Sequence, residues 1–200
     1  MAVVTAAEVR DYLPTLSGTG DDTLITTLIS RFDSAAAAYL GFIRRSDGAE
    51  SIESGTYVEY LDGPGGRDLT TTVKPIISIT SIYDDPDLDY TDSADLIAAS
   101  DYTLYKDEGR IILDYNATDA SWSVGYRHIK ITYVAGFASI PNQIKHAACL
   151  QVAHWYQGRS HIGRTNLSSQ GQTVSLNTLE LLPEVKQALM PYRVATTWVG

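Results

Sequence analysis

The spacing of apolar residues changes twice along this chain, and those two changes constrain its fold more than any motif does. Leu24, Ile25, Leu28, Ile29, Phe32, Ala35, Ala36, Tyr39 and Leu40 recur three and four apart, with Thr26, Thr27, Ser30, Arg31, Asp33 and Ser34 between them. That period predicts an amphipathic helix over 22–40, closed by Gly41. After Arg45 the period shortens. TYVEYL (56–61), RDLTTTV (67–73), PIISITSIY (75–83), DYTLY (101–105), RIILDY (110–115) and RHIKITYV (127–134) are short, rich in β-branched and aromatic residues, and separated by Gly, Pro, Asp and Asn. They predict an antiparallel β unit of about six strands, with one hairpin turning at Asp107-Glu108-Gly109. At Gly136 the pattern breaks, and Pro141 takes the favoured first position of a helix running to about Gln157.

The two ends read as helical. Thr5-Ala6-Ala7-Glu8 has capping-box spacing, which predicts a helix over 6–13 ended by Pro14, and Asp21 or Asp22 can cap the next helix. PEVKQALMPYR predicts a last helix over 183–192, while the polar segment 158–178 predicts a long mobile loop or arm. The expected fold is therefore α+β. It has a helical bundle core (helices about 6–13, 22–40, 141–157 and 183–192) formed by 1–45 and 136–200, interrupted by an antiparallel β domain over 55–135. At 200 residues such a chain buries a core without staples.

Composition removes several classes of function. No stretch approaches the roughly 18 unbroken apolar residues of a membrane span. MAVVTAAEVRDYL lacks the basic and apolar regions of a secretory signal, and the single cysteine, Cys149, fits a reducing compartment. A soluble, cytoplasmic protein is expected. The formal net charge of -9 argues against sequence-independent nucleic-acid binding, which depends on Lys and Arg displacing counterions from phosphates.

The densest group of chemically capable residues is HAACLQVAHWYQGRSH, 146–161, with three of the four histidines and the cysteine. On a helix His146 and His154 stand about 12 Å apart along the axis, too far to share a zinc ion, and His161 follows the helix end at Gly158. The helix carries no Asp or Glu to act as ligand, base or histidine orienter. Packing accounts for more of it: Ile144, Ala148, Val152 and Trp155 form one stripe and Ala147, Leu150 and Ala153 lie toward the other side, as in a helix covered on two sides. One side would meet the 22–40 helix, and the other the β unit or a neighbouring subunit.

In YDDPDLDYTDSAD, Asp85, Asp87 and Asp89 alternate like a calcium loop, but Tyr90 and Leu96 stand where the glycine and the bidentate Glu are required, so 84–95 reads as a solvated acidic loop. DGPGGRD (62–68) lacks the GK[ST] of a phosphate loop and reads as a hairpin turn between strands. Neither GxSxG nor HExxH occurs, so no enzyme, metal or cofactor is expected. An enzyme would need carboxylates from the β unit to converge on His146 or His154. A second binding reading, a β module for a ligand or carbohydrate on a helical scaffold, would need Tyr83, Tyr90 and Tyr102 around one cleft. Near the C-terminus, Tyr192, Trp198 and Val199 are candidate interface anchors, the alternative being a tail packed back on its own domain.

VTAAEVRDYL, DDTLITTLISRFDSAAAAYLG, PIISITSIY, DYTLYKDEGRIIL, YVAGFASIPNQIKHAACLQVAHWYQGR and LPEVKQALMPYR occur in that order over most of the chain. Together they resemble the head-to-tail connector (adaptor) proteins of tailed bacteriophages. The resemblance implies a nonenzymatic virion protein of the neck, assembled in the host cytoplasm. It implies a self-assembled ring, twelve-fold in the family, beneath the portal protein, extending the DNA channel without specific DNA binding and docking a head-completion or tail protein. It also implies that the helical part builds the ring, which makes Ile144, Ala148, Leu150, Val152 and Trp155 subunit-packing candidates. Residues 183–200 inherit the portal contact, with Tyr192, Arg193, Trp198 and Val199 as its candidates. The large β insertion departs from the smallest, mostly helical members.

Overall fold

The computed structural model describes residues 3–16, 18–117, 121–159, 166–169, 172–175 and 180–193. The chain divides into two compact units, one of Met1–Leu40 with Ile140–Arg193 and one containing Gly41–Ser139.

In the first unit α1 (Ala6–Arg10) opens on the predicted box: the Glu8 amide donates to Thr5 Oγ1 at 3.2 Å and the Thr5 amide to Glu8 Oε2 at 2.7 Å. α2 (Asp22–Leu40) buries Ile25, Leu28, Ile29, Phe32, Ala36, Ala37 and Leu40, the stripe its spacing required. α3 (Asn142–Gly158) packs against α1, α2 and α4 (Pro183–Leu189). A 3-10 turn over Met190–Tyr192 follows α4. Tyr12 at the end of α1 shares a 2.7 Å hydrogen bond with His146 Nδ1, and Arg10 pairs with Asp22. A hairpin, β7 (Asn166–Ser169) with β8 (Gln172–Ser175), occupies part of the segment expected to be a mobile arm; the rest of 158–178 beyond Arg159 lies outside the described residues.

The second unit holds two three-stranded antiparallel sheets. β1 (Gly55–Pro64), β6 (Val124–Ala135) and β3 (Ile76–Asp84) form one, in the order β1-β6-β3. β2 (Asp68–Thr70), β5 (Arg110–Leu113) and β4 (Tyr102–Tyr105) form the other, in the order β2-β5-β4. The β4–β5 hairpin turns where the sequence places it, with Tyr105 opposite Arg110. Gly136 ends β6 at φ +100, and a Cβ there would stand 2.6 Å from the Glu53 carbonyl oxygen, so only glycine fits.

The expected helical bundle core with one inserted β domain is not what forms. The fold is β-rich and its helices are few. α1 and α4 have five and seven residues, about 8 and 11 Å of helix, too short to span a bundle, and Pro14 and Pro191 stand just past them. Most of the largest fully buried side chains, among them Trp122, Tyr57, Tyr133, Ile52, Ile76, Ile82, Ile111 and Leu113, belong to 41–139 rather than to the helices. The six antiparallel strands expected in this region form, but in two sheets: TYVEYL pairs with RHIKITYV and not with RDLTTTV. DGPGGRD is thus a crossing from one sheet to the other rather than a hairpin turn.

A buried carboxylate joins the sheets. Glu59 faces inward on β1 at 6% exposure. It accepts the Thr72 amide at 3.1 Å and the hydroxyl of Tyr133 on β6, and that hydroxyl in turn accepts the Val73 amide at 3.2 Å. Burial, and then the charge of Glu59, hold the Tyr133 phenol protonated well above the usual tyrosine range. Tyr133→Phe strips one partner from Glu59 and the hydroxyl acceptor from the Val73 amide. We expect a loss of about 1–3 kcal/mol in urea unfolding; an unchanged midpoint would remove the network from the stability of this unit.

Candidate functional site

None of the sequence-level chemical candidates assembles into a reaction centre among the described residues. His146 is held by Tyr12, and His128 lies in the other unit; His161 is outside the described residues. Cys149 is buried, and burial followed by the charges of Glu8 and Asp11 pushes its thiol up to about 11, which keeps it protonated and unreactive. No group of three or more His, Cys, Asp or Glu placed to hold a metal ion occurs among the described residues, nor is any described helix long and apolar enough to cross a membrane.

α3 is instead a strut. Ile144, Ala148 and Val152 are buried, while Leu150 and Trp155 are half-buried. The helix meets α1, α2 and α4 of the same unit. Two polar residues that the apolar pattern did not single out tie it to the segments before its neighbouring helices. Gln151, fully buried, accepts the Leu182 amide at 2.7 Å through Oε1 and donates to the Glu180 carbonyl, so it holds the chain where it enters α4. Tyr156 donates its hydroxyl to Asp21 before α2 and carries the Arg159 guanidinium 3.7 Å above its ring. In the helical spacing both fall on the buried arc, at three and four residues from Ala148 and Val152, which is the signal that could have found them.

Of the portal candidates, Tyr192 lies in the 3-10 turn and Arg193 follows it, its guanidinium 5.6 Å from the Tyr39 ring centre. Met190 beside them is exposed. Trp198 and Val199 are outside the described residues.

The acidic loop has an internal explanation for part of its alternation. Asp85 is buried, and its carboxylate accepts the amides of Asp87 at 2.7 Å, Asp89 at 2.9 Å and Tyr90 at 2.6 Å. Those oxygens are spent on backbone donors, the reverse of a cation site. The Tyr90 amide first, with the amides of Asp87, Asp89 and Leu88, holds the carboxyl below the usual aspartate range against the effect of burial. Tyr90 then donates its hydroxyl to the Arg127 carbonyl at 2.6 Å and sets its ring 5.3 Å from that of Tyr60. The β-module reading grouped Tyr90 with Tyr83 and Tyr102, but Tyr102 stands on the other sheet.

Opposite the loop, β1 and β6 lose register between Leu61 and Gly63, so that Asp62 faces a bulge on β6. Arg127 in that bulge has φ 59, and its amide donates to Asp62 Oδ1 at 2.9 Å. Asp84, Ser123 and His128 adjoin it, but the order is wrong for a hydrolase: Ser123 donates to Asp84 and contacts His128 Nδ1 at 3.0 Å, so the serine, not the histidine, is in the middle.

Charge is partitioned between the units. Residues 41–139 contain seventeen Asp and Glu against eight Lys and Arg, a net of -9, and the other unit contains seven of each. The whole formal charge of the chain is therefore in the β-rich unit.

The model of the head completion protein (HCP) family matches residues 2–195. The chain belongs to the head completion protein family. Membership agrees with the resemblance to phage head-to-tail connectors and gives the chain a structural role at the phage head. No curated protein matches it in a sequence search.

The Asp85 geometry sets a pH dependence. Its folded pKa is lowered, so its contribution is present above the unfolded value near about 4 and is lost as pH falls through the folded one. The backbone amide signals of Asp87, Asp89 and Tyr90 should move together in that acid range and stay constant from there to neutrality. Movement of all three near neutral pH would contradict the assignment.

Proposed function

We propose that this head completion protein is a connector: a ring beneath the portal that extends the DNA channel and docks the next neck or tail protein. Family membership over 2–195 is the observation that carries this reading. The physical chemistry supports it. A conduit passes DNA only if it does not grip it, and each Lys or Arg on a phosphate adds affinity that must be broken for passage. A unit of net charge -9 repels the duplex instead.

In this reading residues 1–45 and 136–200 build the ring, a dodecamer as in connectors of this kind, and 55–135 is the β domain added to it. The ring stands at the virion neck after assembly in the host cytoplasm. Among the subunit-packing candidates, Ile144, Ala148 and Val152 shape the strut from inside, and the half-buried Leu150 and Trp155 are the ones available to a neighbour. The portal takes the segment 183–200 through Tyr192, Arg193, Trp198 and Val199. Gln151 sets the origin of that segment by fixing Leu182 to α3.

The test is binding to the cognate portal by the full chain and by a chain ending after Leu182. The full chain should bind, and the shortened chain should lose binding by about two orders of magnitude, a loss of the size that interface anchors give. Equal binding by both would contradict the assignment of 183–200. Circular dichroism of the shortened chain separates a lost contact from a lost fold.

A further inference from the structure

The β-rich unit carries two groups of opposite charge that make no ion pair among the described residues. The first is cationic and aromatic. Arg127 lies 4.7 Å from the Tyr60 ring centre and Lys130 lies 5.3 Å from that of Tyr90, with Tyr126 beside them 84% exposed. The unit has more than twice as many acids as bases; Glu50, Asp47, Asp68 and Glu108 pair with Arg44, Arg45 and Arg110, while these two cations lie against ring faces. The second group is the loop around Asp87, Asp92 and Asp95. Asp95 shows what this arrangement costs: burial, and then the charges of Asp85, Asp92, Asp89 and Asp87, raise its carboxyl above the usual range.

Asp85 fixes the loop backbone through three amides, the Tyr90 hydroxyl ties it to the Arg127 carbonyl, and Asp62 fixes the Arg127 amide. The loop backbone and the Arg127 backbone are thus each fixed, and the acidic side chains and the two cations make no ion pair with each other among the described residues.

We propose that the acidic loop of one copy docks on the tyrosine and cation face of the next, through Tyr60, Tyr126, Arg127 and Lys130. This rests on the ring reading above and gives it a contact. Contact between two different patches is the kind that closes a ring by rotation, and tyrosine with arginine is the composition that concentrates contact energy. Nucleic acid fits this face less well, since the surrounding unit repels phosphate.

The experiment is sedimentation velocity of the full chain over a concentration series, at about 0.05 M and about 0.5 M NaCl, which changes the screening length several-fold. The wild type should self-associate more weakly at high salt. R127E and D92R should each weaken association by about tenfold or more, with K130E as a second variant at a residue of ordinary backbone conformation. An equimolar mixture of R127E and D92R should associate more strongly than either alone, because the reversed charges then face each other. A misfolded variant would not show that rescue. Association unaffected by the variants, a mixture no better than its parts, or a wild type that stays monomeric throughout overturns this contact. Salt-sensitive binding of duplex DNA abolished by R127E assigns the face to nucleic acid and overturns it too. The ring reading fails separately, on portal binding.

Discussion

Glu59 occupies a core position of β1, so its carboxylate must find its partners inside the protein. A buried charge is tolerated only when hydrogen-bonded on several sides. Here the partners come from β6, through Tyr133, and from the segment just after β2, through Thr72. Satisfying one side chain therefore brings together the two sheets of 41–139. Further bonds follow the same line, with the Thr71 amide on the Gly109 carbonyl and the Ile76 amide on that of Lys106, where β5 begins and β4 has just ended. The crossing at 62–68 is the covalent counterpart of this polar link.

In the helical unit the corresponding constraint is α3. It is covered by three other helices and its two buried polar side chains, Gln151 and Tyr156, reach the residues before α4 and α2. Apolar burial gives this helix its place, while the polar pair decides where its neighbours begin. Of the histidines in the same stretch, His146 serves as a partner for Tyr12.

Local pattern made much of this legible. The capping box at Thr5, the stripe on α2, the β4–β5 hairpin and the start of α3 at Pro141 all follow from spacing over fewer than twenty residues. What was not legible depends on pairing over longer distances. Nothing local in TYVEYL says that its partner is RHIKITYV, some seventy residues on, rather than the adjacent RDLTTTV. The same holds for the short outer helices, since apolar spacing continued past Arg10 and Leu189 where the backbone did not. The tyrosine and cation face was missed because it joins Tyr60, Tyr90 and Arg127 across a bulge that shifts the strand period. The acidic loop was read as solvated, and Asp85 departs from that because its three amide donors are supplied by backbone turns at Leu88 and Tyr90 with φ of 65 and 56.

Kinship with head completion proteins gives the chain a place at the phage head, and the connector reading makes that place specific. A symmetry-resolved reconstruction of the neck of the intact particle tests it most directly. The account predicts a closed ring of this chain immediately beneath the portal, with α3 inside each helical unit and residues 183–200 against portal density. Finding the chain in the head shell, or at the neck as isolated copies without a ring, would contradict it.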